Sequence, residues 1–214
     1  MDREYDALAL HELGSGAGFR RPGYAQAARV TAESPALEVM TDLARVAPAT
    51  IRPQAPLAGA NQFMITRGVR LLLVIDEQEN VLGVITATDL LGERPMLAAT
   101  ERGLRRDELT VSDIMTPAGR VDAIALADLQ GARVGHVLET LRRAGRQHAL
   151  VVDWDVLPAP SPSEHGVRSA TAPLRRSMVR GIFSVTQIAR QLGVALPAGG
   201  EVARTFSEIE AAIR

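Results

Sequence analysis

Two short segments of this chain carry hydroxyl and carboxylate or amide side chains at the spacing of a helix start. They are Thr86-Ala87-Thr88-Asp89 and Ser184-Val185-Thr186-Gln187, and each follows a short apolar run that begins at glycine. Such a spacing forms a capping box, which needs no ligand. It also suits a nucleotide, because helix-start amides and a hydroxyl favour a phosphate while a carboxylate accepts hydrogen bonds from ribose hydroxyls. The spacing alone leaves both interpretations open.

The two segments belong to an internal repeat. Its landmarks follow one another in the same order: Met40-Thr41 and Met115-Thr116, then Asp76 and Asp153, then Gly83 and Gly181. The offset between corresponding landmarks grows from 75 to 98 residues along the chain. The sequence is therefore a duplicated unit in which the second copy carries a long insertion.

Each copy has the pattern of a β-α-β-β-α unit. A short strand comes first, and a helix with apolar residues at helical spacing follows and ends at glycine. The two helical stripes are Leu57, Ala60 and Met64 before Gly68, and Val134, Val137 and Leu141 before Gly145. Two apolar strands and a final helix complete the unit. Neither copy alone covers both faces of its sheet, so the predicted fold is α/β (α+β), with two repeats packed sheet to sheet.

The repeat sets the predicted boundaries. Residues 1–34 are an N-terminal extension, expected to be partly disordered or packed on a partner, and residues 35–92 are the first repeat. A linker helix is predicted for 93–108 and a C-terminal helix within 196–214. The second repeat is 109–195, with a proline-rich insertion at about 154–178.

Composition argues against several classes of protein. The chain has 214 residues with a net charge of −1, whereas a sequence-independent nucleic-acid binder needs a positive excess. It has no cysteine, and it lacks an apolar run of the roughly 20 residues that a membrane-spanning helix needs. No signal sequence stands at the N-terminus, so a cytoplasmic location is expected.

Enzyme motifs are absent from the sequence. The four histidines lack metal-ligand spacing, and there is no nucleophile elbow, Walker loop or dinucleotide fingerprint. The chain is therefore predicted not to be an enzyme and to require no cofactor.

The ordered duplication resembles a tandem pair of cystathionine-beta-synthase-type (CBS) domains. In each copy an early Val-Met-Thr or Ile-Met-Thr precedes a helix, a strand ending at Asp, and a Gly-apolar-apolar-Thr/Ser segment. The resemblance implies a two-repeat disc with pseudo-twofold symmetry and clefts between the repeats. It also implies a regulatory module that binds adenine nucleotides such as AMP, ADP or ATP and commonly forms a homodimer.

The resemblance implies site residues one by one. Thr86 corresponds to the phosphate-binding hydroxyl and Asp89 to the ribose-binding carboxylate, while Thr50 and Ile51 on the first strand flank the base. Arg70, just before the next strand, is placed to meet phosphates or to be a solvated surface residue.

The second copy departs from this pattern. Ser184 keeps the hydroxyl, but Gln187 replaces the carboxylate, and a neutral amide is a weaker acceptor for hydroxyls. His148 is a candidate phosphate contact, although a lone histidine is more often structural. We therefore expect the Thr86/Asp89 site to be the better nucleotide site.

The leading functional hypothesis is a non-catalytic module that senses an adenine nucleotide and signals to a separate, unidentified protein. The alternative is a structural or protein-interaction module of the same fold, with clefts filled by side chains.

Overall fold

The computed structural model describes residues 30–156, 175–194 and 202–213. The predicted behaviour of most of the N-terminal extension and of the centre of the proline-rich insertion therefore lies outside the described residues.

The elements of the first half are β1 (Thr41–Asp42), β2 (Thr50–Ile51), α1 (Leu57–Arg67), β3 (Leu71–Ile75), β4 (Val81–Thr86), α2 (Ala87–Leu91) and α3 (Arg94–Arg102). Those of the second half are α4 (Val111–Ile114), β5 (Thr116–Pro117), β6 (Ala123–Ala125), α5 (Val134–Arg143), β7 (His148–Val156), β8 (Arg175–Ser184), α6 (Val185–Gln191) and α7 (Val202–Ile213).

The two halves have the same order of elements. In each, a short strand runs parallel to the first strand of a hairpin, with a helix between them: β2-α1-β3-β4-α2 in one half and β6-α5-β7-β8-α6 in the other. Both long helices end where glycine takes the left-handed conformation, at Gly68 (φ 65°) and Gly145 (φ 62°). The predicted α+β class and the two β-α-β-β-α units are thus confirmed.

Each sheet is completed by a strand from the neighbouring part of the chain. β1 lies before the first unit but pairs with β8, and β5 lies between the units and pairs with β4, which gives the sheet orders β1-β8-β7-β6 and β2-β3-β4-β5. The repeated Met-Thr segments therefore lie on the sheet of the opposite repeat. The far edge of each hairpin would otherwise be unpaired, and the exchanged strand covers it.

Three apolar clusters hold this arrangement together. Helices α5, α6 and α7 cover the outer face of one sheet, with Phe183 and Ile188 fully buried beneath them. Helices α1, α2 and α4 cover the other sheet around Leu72 and Ile85. The third cluster, which includes Leu73 and residues of both sheets, joins their inner faces. The sheets consequently pack on each other, as predicted.

The glycine that begins each Gly-apolar-apolar-Thr/Ser segment makes room for the exchanged strand. A Cβ at Gly83 would lie 2.3 Å from the carbonyl oxygen of Thr116, and a Cβ at Gly181 would lie 2.4 Å from the Met40 sulfur. The first neighbour is backbone, whereas the second is a flexible side chain that can move away.

Gly83→Ala is expected to lower the free energy of unfolding by about 1–3 kcal/mol, because β5 must shift to accept the methyl group. Gly181→Ala is its matched control and should cost clearly less. Urea denaturation of both variants measures the difference. Equal losses in the two variants would mean that the close contact between Gly83 and β5 does not cause the loss of stability.

Candidate functional site

Two of the clefts between the sheets contain predicted site residues. Cleft I is lined by the 86–89 turn together with residues from segments 116–122 and 145–150. Cleft II is lined by Ser184, Thr186 and Gln187 together with residues from segments 41–49 and 67–71. Leu71 and His148 line both, so the clefts lie on either side of a shared wall.

In cleft I, Thr86 and Asp89 form a capping box at the start of α2. The Thr86 amide and hydroxyl both donate to Asp89 Oδ2, at 2.9 and 2.7 Å, and the Asp89 amide donates to Thr86 Oγ1 at 3.3 Å. The structural interpretation of this motif is therefore confirmed in the first repeat. Most of the hydrogen-bonding capacity of Asp89 Oδ2 is used inside the protein.

The other carboxylate oxygen of Asp89 is held by Arg94. Arg94 Nη1 lies 2.8 Å from Asp89 Oδ1, and it also donates to the Ile114 carbonyl at 3.0 Å and to the Thr116 hydroxyl at 3.1 Å. The guanidinium thus joins α2, the first turn of α3 and the exchanged strand β5. A ribose hydroxyl would have to compete with a charged donor for Asp89.

Cleft I is small and its charges are nearly balanced. Its volume is about 140 Å³, below the roughly 300–1,000 Å³ typical of small-molecule sites. Its lining includes two arginines, Arg120 and Arg146, and two carboxylates, Asp89 and Asp122.

Cleft II differs at the corresponding positions. Gln187 occupies the place of Asp89, and the Thr41 hydroxyl of the exchanged strand β1 donates to Gln187 Oε1 at 2.9 Å. Ser184 occupies the place of Thr86 but makes no side-chain capping bond to α6. The hydroxyl of Ser184 is therefore not engaged in a capping box as that of Thr86 is.

Cleft II carries an excess of positive charge. Its lining holds Arg67, Arg70 and Arg190 and contains no Asp or Glu, and its volume is about 400 Å³. Within the described ranges, none of the three guanidinium groups has a carboxylate within 4.0 Å, although eight other arginines do. Arg67 packs its guanidinium over the Phe63 ring, 5.5 Å from the centroid.

Arg70 provides the most specific feature of cleft II. Its Nε is buried and has no hydrogen-bond partner among the residues that the structure describes. A buried donor without a partner costs free energy comparable to a lost hydrogen bond. A turn of the Arg70 side chain towards an acceptor in the cleft would remove that cost.

His148 lies in the shared wall, between Arg70 of cleft II and Asp89 of cleft I. Burial and, to a lesser extent, the Arg70 guanidinium lower the pKa of His148 to about 4, while the Asp89 carboxylate acts in the opposite sense. The imidazole is therefore neutral at pH 7. Each ring nitrogen of a neutral imidazole serves as either a donor or an acceptor.

The structure distributes the predicted site residues over both clefts. Thr86 and Asp89 line cleft I, while Arg70, Ser184 and Gln187 line cleft II, and His148 lines both. Thr50 and Ile51 line neither. Thr50 pairs with Leu73 in the sheet, and Ile51 packs against the core beneath α1.

Several residues that line the clefts or hold a lining residue were not predicted from the sequence. Arg94 has no distinguishing pattern, because its role depends on the turn between α2 and α3. Arg67 and Arg190 lie on exposed helix surfaces and look like ordinary solvated residues. Thr41 was predictable in principle, because the repeated Met-Thr pair contains it in one copy and Thr116 in the other. The Thr41 hydroxyl bonds directly to Gln187, whereas the Thr116 hydroxyl is linked to Asp89 through Arg94.

In the described ranges, no group of three or more His, Asp or Glu side chains is placed to hold a metal ion. No helix in the same ranges is long and apolar enough to cross a bilayer.

Comparison with known proteins supports the family resemblance. The CBS domain family model matches residues 36–95. No curated protein sequence matches the chain significantly. The second repeat shares its order of elements with the matched one, so the chain has the fold of a CBS domain pair.

Similar solved structures share low sequence identity with this chain. An uncharacterized conserved protein from Pyrococcus horikoshii has 19% identity and a TM-score of 0.49, over 79% of this chain and 100% of that one. CBSX2, from Arabidopsis thaliana, was solved with AMP and has 18% identity and a TM-score of 0.46, over 73% and 94%. The CBS domain pair of protein MJ0100, solved with 5′-methylthioadenosine and S-adenosyl-L-methionine, has 19% identity and a TM-score of 0.46, over 75% and 97%.

Proposed function

We propose that this chain, whose residues 36–95 match the CBS domain family model, is a non-catalytic regulatory module that binds an adenine nucleotide in cleft II. The single observation that carries the choice of cleft is the buried, unpartnered Nε of Arg70, which lines a cleft with three arginines and no carboxylate. A phosphate is the anion that such a set of donors recognises best.

Size and shape support the same cleft. Its volume of about 400 Å³ falls within the range of small-molecule sites, and its lining includes the apolar residues Leu43, Val46, Pro48 and Ile182. Apolar lining residues suit the faces of a purine ring. Ser184 and the Gln187 amide add neutral hydrogen-bonding groups beside the arginines.

The contacts in cleft I support the second candidate function, a structural or interaction module that needs no ligand in this cleft. The Asp89–Arg94–Thr116 contacts join three elements without any ligand, as in a structural or interaction module. The sequence favoured this cleft for the nucleotide. We now propose cleft II, because in cleft I the carboxylate that would hold the ribose is already bonded on both oxygens.

Regulation requires that the nucleotide bind one arrangement of the chain better than another. Cleft II lies where β1 crosses to the opposite repeat, and Thr41 of that strand bonds to Gln187. We propose that a ligand in cleft II alters this contact and thereby the surface offered to a second copy of the chain and to a regulated partner protein.

Calorimetry with ATP tests the proposal on wild type, Arg70→Ala and Asp89→Ala. Arg70→Ala is expected to weaken binding roughly 10- to 100-fold, the equivalent of one charge-assisted hydrogen bond. Its melting temperature without ligand should not fall, because the Arg70 Nε makes no hydrogen bond to lose.

Arg143→Ala is the matched control, since Arg143 is an exposed arginine on α5 that pairs with Glu139. It should bind ATP as wild type does. Wild-type affinity in Arg70→Ala together with a large loss in Asp89→Ala would move the site to cleft I. Absence of binding to wild type would support the structural alternative.

A further inference from the structure

Cleft II lacks a carboxylate acceptor of the kind that would hold the ribose of a nucleoside. Binding of a ribose is strengthened when an ionised carboxylate accepts from its hydroxyls, because charge-assisted hydrogen bonds are roughly twice as strong as neutral ones. Asp89 is such a group in cleft I, but the lining of cleft II contains no carboxylate at all.

Gln187 does not replace the missing carboxylate. One of the two lone pairs of its Oε1 already accepts from the Thr41 hydroxyl, so the side chain offers a single neutral acceptor position beside the two N–H donors of its amide nitrogen. An amide nitrogen donates and does not accept. The residue at the ribose-binding position of this cleft therefore favours acceptor atoms on the ligand.

The charged groups point to the same preference. Arg67, Arg70 and Arg190 bring three positive charges to cleft II, and none has a carboxylate partner within the described residues. A phosphate monoester carries about two negative charges near neutral pH, and each additional phosphate adds about one more. A nucleoside monophosphate would leave part of this positive charge uncompensated.

We infer that cleft II selects its ligand by phosphate charge and not by the ribose, so that it binds nucleoside polyphosphates and accepts ribo- and 2′-deoxyribonucleotides alike. This inference rests on the proposed function, because it assigns a ligand class to the same site. Gln187 and the three arginines are its specificity determinants. A positively charged nucleoside, such as one bearing a sulfonium group, is disfavoured by the same arginines.

Calorimetry with adenosine, AMP, ATP and dATP tests the inference, without divalent cations so that the phosphates keep their charge. We expect affinity to rise at least tenfold from AMP to ATP and to fall steeply with salt, and adenosine to bind weakest. ATP and dATP should differ by less than about threefold, since no charged acceptor reads the 2′-hydroxyl.

Gln187→Glu provides a variant of nearly the same shape with one added negative charge. It should weaken ATP binding about tenfold, because the added carboxylate repels the phosphates, and it should strengthen adenosine binding, because the carboxylate accepts from the ribose hydroxyls. Its melting temperature, measured without ligand, shows whether the variant is folded.

The possible failures are distinguishable. If none of the four compounds binds to wild type, the proposed function fails and the inference fails with it. If ATP binds but dATP is more than about threefold weaker, the site is a nucleotide site that reads the sugar. If AMP binds as tightly as ATP, the site is a nucleotide site that does not select by phosphate charge. In either case the inference alone is overturned.

Discussion

Phe183→Ala is expected to lower the free energy of unfolding by about 3–5 kcal/mol, through lost burial and the cavity that remains. Phe183 is fully buried beneath α5 and α6. Ile85 occupies the corresponding place in the first repeat and is equally buried, so Ile85→Ala should cost about 2–5 kcal/mol. Chemical denaturation followed by circular dichroism measures both losses.

Both variants should shift a single unfolding transition. β1 connects the start of the first repeat to the sheet of the second, β5 pairs with the sheet of the first, and a shared apolar cluster joins the two sheets. Neither repeat therefore retains a complete sheet when the other unfolds. Ile65→Ala is the control, because Ile65 lies on α1 and is 65% exposed. Two separate transitions, each sensitive to one of the buried substitutions, would show that the repeats fold independently.

The second large effect is a dependence of stability on pH that originates at His148. Its pKa is about 4 in the folded protein and 6.5 in an unfolded chain, so between these values the unfolded state binds more protons. The contribution of the neutral His148 to the free energy of unfolding is fully present above pH 6.5. It decreases as the pH falls towards 4 and changes no further below that. The pKa difference corresponds to about 3 kcal/mol.

His148→Gln removes this titration and keeps a polar side chain in the shared wall. The free energies of unfolding of wild type and variant are measured from pH 7 to pH 4. Over this range wild type should lose about 3 kcal/mol more than the variant does. Comparing the two profiles isolates His148, because the other titratable groups are common to both proteins. Parallel profiles would mean that His148 is not held neutral by burial and Arg70.

The fold was largely predictable because its signals are local and occur twice. The apolar stripes at 57, 60 and 64 and at 134, 137 and 141, each closed by a glycine, define the two long helices. The Gly83 and Gly181 segments define the final strands and the helices after them. The exchange of β1 and β5 was not predictable, because two-residue strands carry almost no pattern and their pairing depends on which sheet edge is open.

The candidate site was predictable in part. The sequence identified Thr86 and Asp89 as a capping box or a ligand site, but it could not show that Arg94 holds the remaining carboxylate oxygen. It identified Arg70 as a phosphate ligand or a surface residue, and it associated that side chain with the first repeat. The structure places Arg70 in cleft II, beside residues of the second repeat.

The sequence by itself determined the duplicated unit, the type and order of its elements, and the replacement of a carboxylate by Gln187, because each depends on residue type and on spacing within one copy. The tertiary structure decided which arginines gather in one cleft and which pair with acids, and which hydroxyl reaches position 187. Those features arise where segments far apart in the chain meet between two sheets. The electrostatic potential in such a cleft is the sum of charges on residues that are distant from one another in the sequence, so no local sequence pattern predicts it.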